Sequence, residues 1–313
     1  MLRLPHVRRA WVGPLLLSAL ALTTFGPATA SSGPAVATPA VARIATDCGP
    51  ALTLDRRDFP NSPKVTNRYL PLTPGMQYVL DGAVLDAQNQ PHPHQIVTTV
   101  TDLTKVIDGV RTLVVFDEDI QDHRTVEAEI FFVAQDQDGT VWTFGEYPEE
   151  IAPDGTIAAP RTWLSGVQRA RAGIAMLANP KVGTGTYLQG LAPKVAFKDC
   201  ATVVRTGEKH VCVTVGCFNN VLEIDEFAPN DPSGGHQRKF YAPGVGVGLI
   251  QVKAAGGVDP EALTLKSAQR LCTADFSAIR QRALAQDSRG YTIAPGVYAG
   301  SPHAQHTIDA RTC

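Results

Sequence analysis

The chain has 313 residues, 44% of them hydrophobic, with 28 basic and 30 acidic side chains. That length allows one large or two modest domains with an ample core. The slightly acidic balance makes nucleic acid and anionic membrane surfaces poor partners. At the start of the chain, Arg3, Arg8 and Arg9 precede an apolar stretch that ends near Ala28-Thr29-Ala30, the layout of an export signal cleaved after Ala30. The apolar run is broken by Gly13 and Pro14 and falls short of the roughly 20 residues a spanning helix needs. No later segment is long enough either, so a secreted protein without a membrane span is expected. Removing residues 1–30 takes away three basic groups and no acid, leaving 25 basic against 30 acidic side chains.

Residues 31–46 are rich in Pro, Ala and other small residues and read as a disordered leader. A β domain is expected over residues 47–255, where short apolar runs such as "MQYVLDG", "VRTLVVF", "AEIFFVAQ" and "NVLEIDEF" alternate with Gly, Pro, Asn and Asp. Residues 148–193 interrupt the pattern and are expected to form a long excursion over one face of the sheet. Residues 256–313 should supply a last strand, a helix and a tail packed on the β domain. In the helix, Thr273 is placed to cap "ADFSAIRQRALAQ", and Gly290 follows as the stop.

"QDQDGTVW" has the acid spacing of a calcium loop, yet Ala134 would occupy the first ligand position and Gly145 the twelfth. A two-residue hairpin turn at Asp138-Gly139 fits better. That turn would set Phe131 opposite Glu146 and Val133 opposite Phe144. One face would then carry Phe131, Val133, Trp142 and Phe144 and continue into Glu127, Glu129 and Glu146. The simpler reading is that this stripe reaches the solvated rim. If instead the acids are buried, Glu129 and Glu146 become diagonal partners with raised pKa values, suited to acid/base chemistry.

Cys48, Cys200, Cys212, Cys217, Cys272 and Cys313 all lie in the part expected to be exported, and an even count there favours three disulfides. One local bridge is expected among Cys200, Cys212 and Cys217, and a Cys272–Cys313 tie would hold the tail.

The stretches "NRYLPLTPGMQYVLDG", "AEIFFVAQDQDGTVWTFGE", "AGIAMLANPKVGTGTYLQ" and "RKFYAPGVGVGLIQV" resemble, in order and wording, the successive blocks of a family of secreted bacterial proteins of unknown function. The resemblance covers roughly residues 58–253. The chain departs from it at "NRYLPL", where an aromatic usually precedes Pro71, and at Cys217, where a threonine is usual. It implies no particular activity. The ending is also similar to that of proteins built as a curved, partly open β-barrel with a helix at its mouth, which bind apolar ligands or partner chains. The fold expected is therefore mainly β: a single curved antiparallel sheet or partly open barrel with a C-terminal helix.

Two constellations could carry chemistry. His92 and His94 lie two apart on an extended chain, and a hairpin at Asp108-Gly109 would bring them to the same end of the sheet as Asp117, Asp119, Asp122 and His123. Of these, His92, His94, Asp122 and His123 are candidate ligands for a divalent metal; a polar loop cluster is the plainer alternative. The Gly244-x-Gly246-x-Gly248 run continues as a strand instead of a helix, which argues against a phosphate loop. G-x-S-x-G and H-E-x-x-H are absent. No cofactor is predicted. The first functional reading is a secreted protein that binds an apolar small molecule, lipid, polymer or partner chain, with Trp142, Phe144, Trp163 and Tyr241 as candidate contacts unless they are core. The alternative is an extracellular hydrolase using the His/Asp site or the Glu129/Glu146 pair.

Overall fold

The computed structural model describes residues 48–49, 52–244, 248–257 and 260–313. The expected export signal and leader lie outside the described residues, as does Gly246 of the glycine run. The chain is mainly β, with 51% of it in strands. Twelve long strands form the wall: β1 (Met76–Leu85), β2 (Pro91–Ile107), β3 (Val110–Gln121), β4 (Arg124–Gln135), β5 (Val141–Ile151), β6 (Arg171–Met176), β7 (Thr186–Ala192), β8 (Phe197–Glu208), β9 (Val221–Phe227), β10 (His236–Tyr241), β11 (Leu249–Ala255) and β12 (Glu261–Arg270). Each pairs antiparallel with its sequence neighbours, and β12 pairs with β1. The result is an up-and-down barrel, closed all the way round and not partly open, which removes the sheet edges an open sheet would present.

The turns follow local chemistry. Asp108 and Gly109 have φ 51° and 77°, and Asp122 and His123 have φ 49° and 62°, so both hairpins take the twist-matched turn with two left-handed residues. At 136–140 the expectation fails in detail. Only Gly139 of its pair has positive φ, 93°, and the turn is a longer one closed by Asp136. One Asp136 oxygen accepts from the Asp138 and Thr140 amides at 3.1 and 2.8 Å, and the other accepts from Trp142 Nε1 at 2.9 Å. The acid spacing that suggested calcium is thus consumed by the turn itself.

The excursion expected at 148–193 is shorter. It occupies 152–170, and the remainder supplies β6 and β7. Its short strands run up the edge of β5: Ile157–Ala158 against Glu150 and Ile151, and Trp163–Leu164 against Gly145 and Glu146. β6 meets β5 only at residues 141–143, so this segment fills the wall above that short seam. Likewise β12, expected as part of a C-terminal appendage, is a full member of the wall, since it pairs with both β11 and β1.

One end of the barrel is plugged. Ser62 donates to Arg111 O, Gln135 N donates to Ser62 O, Asn67 donates to Gly139 O and Leu177 O, and Tyr69 donates to Asn220 O. Residues 59–72 therefore cross the turns on that side, with Leu70 and Leu72 buried beneath.

The helix α1 (Thr273–Ile293) lies against the outer face of β2–β5. Arg280 pairs with Asp102, Arg282 with Glu118 and Arg289 with Glu149, while Gln286 donates to the Ala128 and Tyr147 carbonyls. Beneath it Lys105, fully buried, pairs with Asp287 at 2.9 Å. The helix does not stop at Gly290. It runs three residues further, because the missing side chain there makes room for the ring of Tyr298. Disulfides join Cys48–Cys200, Cys212–Cys217 and Cys272–Cys313, which gives the local bridge and the tail tie that the spacing suggested.

Candidate functional site

Alternation along each strand sorts side chains between the lumen and the outer face. On β3, Phe116 and Glu118 meet the helix, so Leu113, Val115, Asp117 and Asp119 point inward. Register carries this around the wall: Asp117 stands opposite Thr98 and Glu129, and Val115 opposite Val100 and Phe131. Across the ring, Ile224 is opposite Lys239, and Glu226 is opposite Gln237. The lumen is therefore graded. Toward the plugged end it is lined by Val100, Leu113, Val115, Phe131 and Val133. Toward the other end carboxyl groups stand in register with Ile96, Leu80 and Leu265.

Sequence alternation alone would place Trp142 and Phe144 on the same face as Glu146. They are not there, because the strand pair shifts register between Phe132 and Val133. Phe131 stays opposite Glu146, but Val133 faces Thr143 and Ala134 faces Trp142. The irregularity turns Trp142 and Phe144 outward, where Phe59 packs edge-on to both at 6.0 and 5.5 Å. Trp163 instead faces inward opposite Glu146 and packs on Phe197 at 4.9 Å. Tyr241 lies in the lumen with its hydroxyl 3.5 Å from Glu226. All four aromatics are buried, so none offers an exposed contact face.

The Glu129/Glu146 stripe does not reach a solvated rim. Both residues are buried, standing diagonal across β4 and β5. Burial first, and then the Glu146 charge, drive the Glu129 pKa upward. Glu127 is raised by burial, with the Arg161 guanidinium 2.5 Å away pulling in the opposite direction. Asp117 is pushed by burial up to about 7, against the weaker pull of Thr98 and Lys239. Burial also raises Asp119.

The histidine constellation divides in two. His92 stays at the mouth, 3.1 Å from Asp122 and 3.3 Å from Asp86. His94 turns into the lumen, 2.8 Å from Asp119 and 3.3 Å from Glu261. β1 lies between His94 and Glu261 and contributes Gly82 opposite His94; a side chain at Gly82 would run into the backbone of Ala262. Burial would lower the His94 pKa, but Asp119 and Glu261 outweigh it and hold it at about 10. His123 is exposed in the β3–β4 turn. His92, His94, Asp122 and His123 thus do not converge on one point. Among the described residues the one group with three metal-ligating atoms in close proximity is His210, Cys212 and Cys217, and its two sulfurs are joined in a disulfide.

Sequence reasoning missed Lys239, Glu226, Glu261, Gln189 and Arg161. Lys239 and Glu226 form a buried pair at 2.5 Å, and Gln189 donates to Glu226 at 3.1 Å. A signal was present: Glu226 sits in period-two register with Leu222 and Ile224, a charge on an apolar face. Several lumen groups have no hydrogen-bond partner among the described residues: Tyr78 Oη, Tyr187 Oη, Trp163 Nε1 and Gln189 Oε1.

No protein-family model matches the chain, and no curated protein matches it. Two solved structures are similar to it. One is a protein of Bacteroides fragilis NCTC 9343, described as exported and having a YMCC-like fold, with 11% identity and a TM-score of 0.37 over 65% of this chain and 100% of that one. The other is a protein of Parabacteroides distasonis ATCC 8503, described as a lipoprotein, with 11% identity and a TM-score of 0.34 over 65% of this chain and 99% of that one. Likenesses this distant leave the site to be read from its own geometry.

Proposed function

We propose that this is an exported binding protein whose barrel lumen takes up a small, hydrogen-bonding molecule at its carboxyl-rich end. The observation that carries this reading is the set of lumen groups without partners among the described residues, above all Tyr78, Tyr187 and Trp163. An unmade hydrogen bond at a buried polar atom costs about 1–3 kcal/mol. Native proteins leave few such groups, and those few call for an explanation. Several gathered around one lumen amount to a substantial share of the roughly 5–15 kcal/mol that holds a domain folded. Water or a polar ligand must supply the missing partners, and the two tyrosines, the indole and the amide oxygen offer donors and acceptors in a fixed frame suited to recognition. An apolar ligand, the expectation from composition and resemblance, fits less well, because the hydrophobic half of the lumen lies behind the plug.

The test is native mass spectrometry of the mature protein taken from its own culture medium, followed by denaturation and identification of what is released. One polar molecule per chain is expected, and it should compete with substitutions at Tyr187. Wild-type protein that releases nothing, with a lumen holding only ordered water at high resolution, would overturn the reading. A second reading, acid/base hydrolysis, is favoured by the buried Glu129/Glu146 pair, in which burial and then the Glu146 charge raise the Glu129 pKa. In that case the released molecule would be turned over, and Glu129→Gln would bind it without turnover.

A further inference from the structure

We propose that two-electron reduction of the Cys212–Cys217 bridge by a dithiol creates a surface site for one zinc ion, held by His210, Cys212 and Cys217. The site is separate from the lumen and does not depend on what the lumen binds.

Its basis is the way a small hairpin is built. Between β8 and β9 the chain leaves the wall as a two-stranded ribbon, Val211–Val213 paired with Gly216–Phe218. Val211 stands opposite Phe218, and Cys212 opposite Cys217. Side chains alternate between the faces of such a ribbon, so Val211, Val213 and Phe218 share one face and the cysteines take the other. The first face packs, partly buried, against the barrel core. The second is left to solvent, and Cys212 and Cys217 are both exposed. His210, two residues before Cys212, is exposed beside them: its ring nitrogen and the two sulfurs lie within 4.8 Å of one another.

Two thiolates and an imidazole are the donor set of a zinc site that keeps its fourth position open. In the oxidised protein the sulfurs are bonded to each other and offer no thiolate. Reduction supplies the ligands.

This bridge is also the one whose opening releases the chain least. It closes a separation of 5 residues, against 41 and 152 for the other two, and the constraint a disulfide puts on a chain grows with the loop it closes. The hairpin is anchored without it. His210 N donates to Asn219 Oδ1 at 3.0 Å, and the apolar face stays on the barrel. The three ligands therefore remain together after the S–S bond breaks.

Electrons and protons balance in the exchange. One thiolate of the dithiol attacks a bridge sulfur, and the other bridge sulfur leaves as a thiolate. The second thiolate of the reagent then displaces the remaining cysteine, so the dithiol ends as a disulfide and the protein gains two electrons and two protons. Zinc binding releases those two protons as the thiols become ligands.

The experiment reduces the folded mature protein with dithiothreitol, removes the reagent by anaerobic gel filtration, and titrates with cobalt(II) as a coloured stand-in for zinc. Thiol labelling with mass mapping records which bridges have opened, and circular dichroism records whether the barrel is intact. Reduced wild type should bind one cobalt per chain with a thiolate-to-cobalt charge-transfer band that zinc abolishes, and oxidised protein should show no such band. Cys212→Ser/Cys217→Ser should lose it. A band that persists in that variant would place the metal at Cys272 and Cys313 and overturn the site. His210→Ala should weaken zinc binding about tenfold or more, since loss of a group that merely supports a ligand already costs about 10–100-fold. Unchanged affinity there would overturn the three-ligand set. Reduced wild type that takes up no cobalt, or a bridge that opens only as the barrel unfolds, would overturn the proposal outright.

Discussion

Asp117 is one of several acids in this barrel that burial strains. Its pKa rises from 3.8 to about 7 because the charged form is buried. A carboxyl raised on folding binds its proton more tightly in the native state, so stability is fully present at low pH and is lost as pH climbs from about 4 through 7. The full swing corresponds to about 4 kcal/mol. Asp119, Glu127 and Glu129 are pushed the same way and steepen that decline. His94 acts at the far side of the scale. Held at about 10, it contributes stability below its ordinary value of 6.5 that fades only as pH rises through 10. Asp117→Asn is therefore expected to raise the melting temperature at pH 8 while leaving it nearly unchanged at pH 4, as thermal melts across that range would record.

At the level of elements, Gly290 gives a clear test of packing against propensity. In an exposed helix, Gly to Ala gains about 1 kcal/mol. Here a Cβ would lie 2.5–2.8 Å from ring atoms of Tyr298, which is itself fully buried against Tyr147 and Tyr291. Gly290→Ala should cost about 1–3 kcal/mol through overpacking, seen as a lower urea midpoint at unchanged slope. The same glycine shows why sequence reading stopped the helix too early: its local meaning is a stop, and only the tertiary neighbour reverses that. The strand runs were legible because alternation and turn residues are local signals, and the hairpins at Asp108-Gly109 and Phe131 opposite Glu146 fell out of them. The irregularity beside Gly145 was not. It depends on Trp163, whose carbonyl would sit 2.4 Å from any Cβ there, and it alone sends Trp142 and Phe144 outward. β6 and β7 were missed for a similar reason. Gly173 and Gly190 weaken their strand pattern, yet backbone and aromatic groups fill the places their side chains would take.

For the whole molecule, the lumen could not be read from the sequence because its far wall is assembled by ring closure. Hairpin logic placed His94 beside Asp119 but could not say that Glu261 arrives from the last strand. The Cys272–Cys313 bridge spans 41 residues and holds the tail against the first turn of α1, where Cys313 N also donates to Leu271 O. Replacing both cysteines by serine should lower stability by about 2–4 kcal/mol, measurable by denaturant titration against the oxidised wild type.

The pairing of β12 with β1 also sets a clock. Residues 261–270 lie nine in-register partners along Met76–Val84, so the first strand waits for nearly the entire chain before its outer edge is covered. A nascent chain emerging in order would leave that edge open until residues 261–270 appear, and the circle is completed by the longest-range strand pairing in the wall. Closure of the barrel is therefore expected to be a late step in folding, after β12 has emerged.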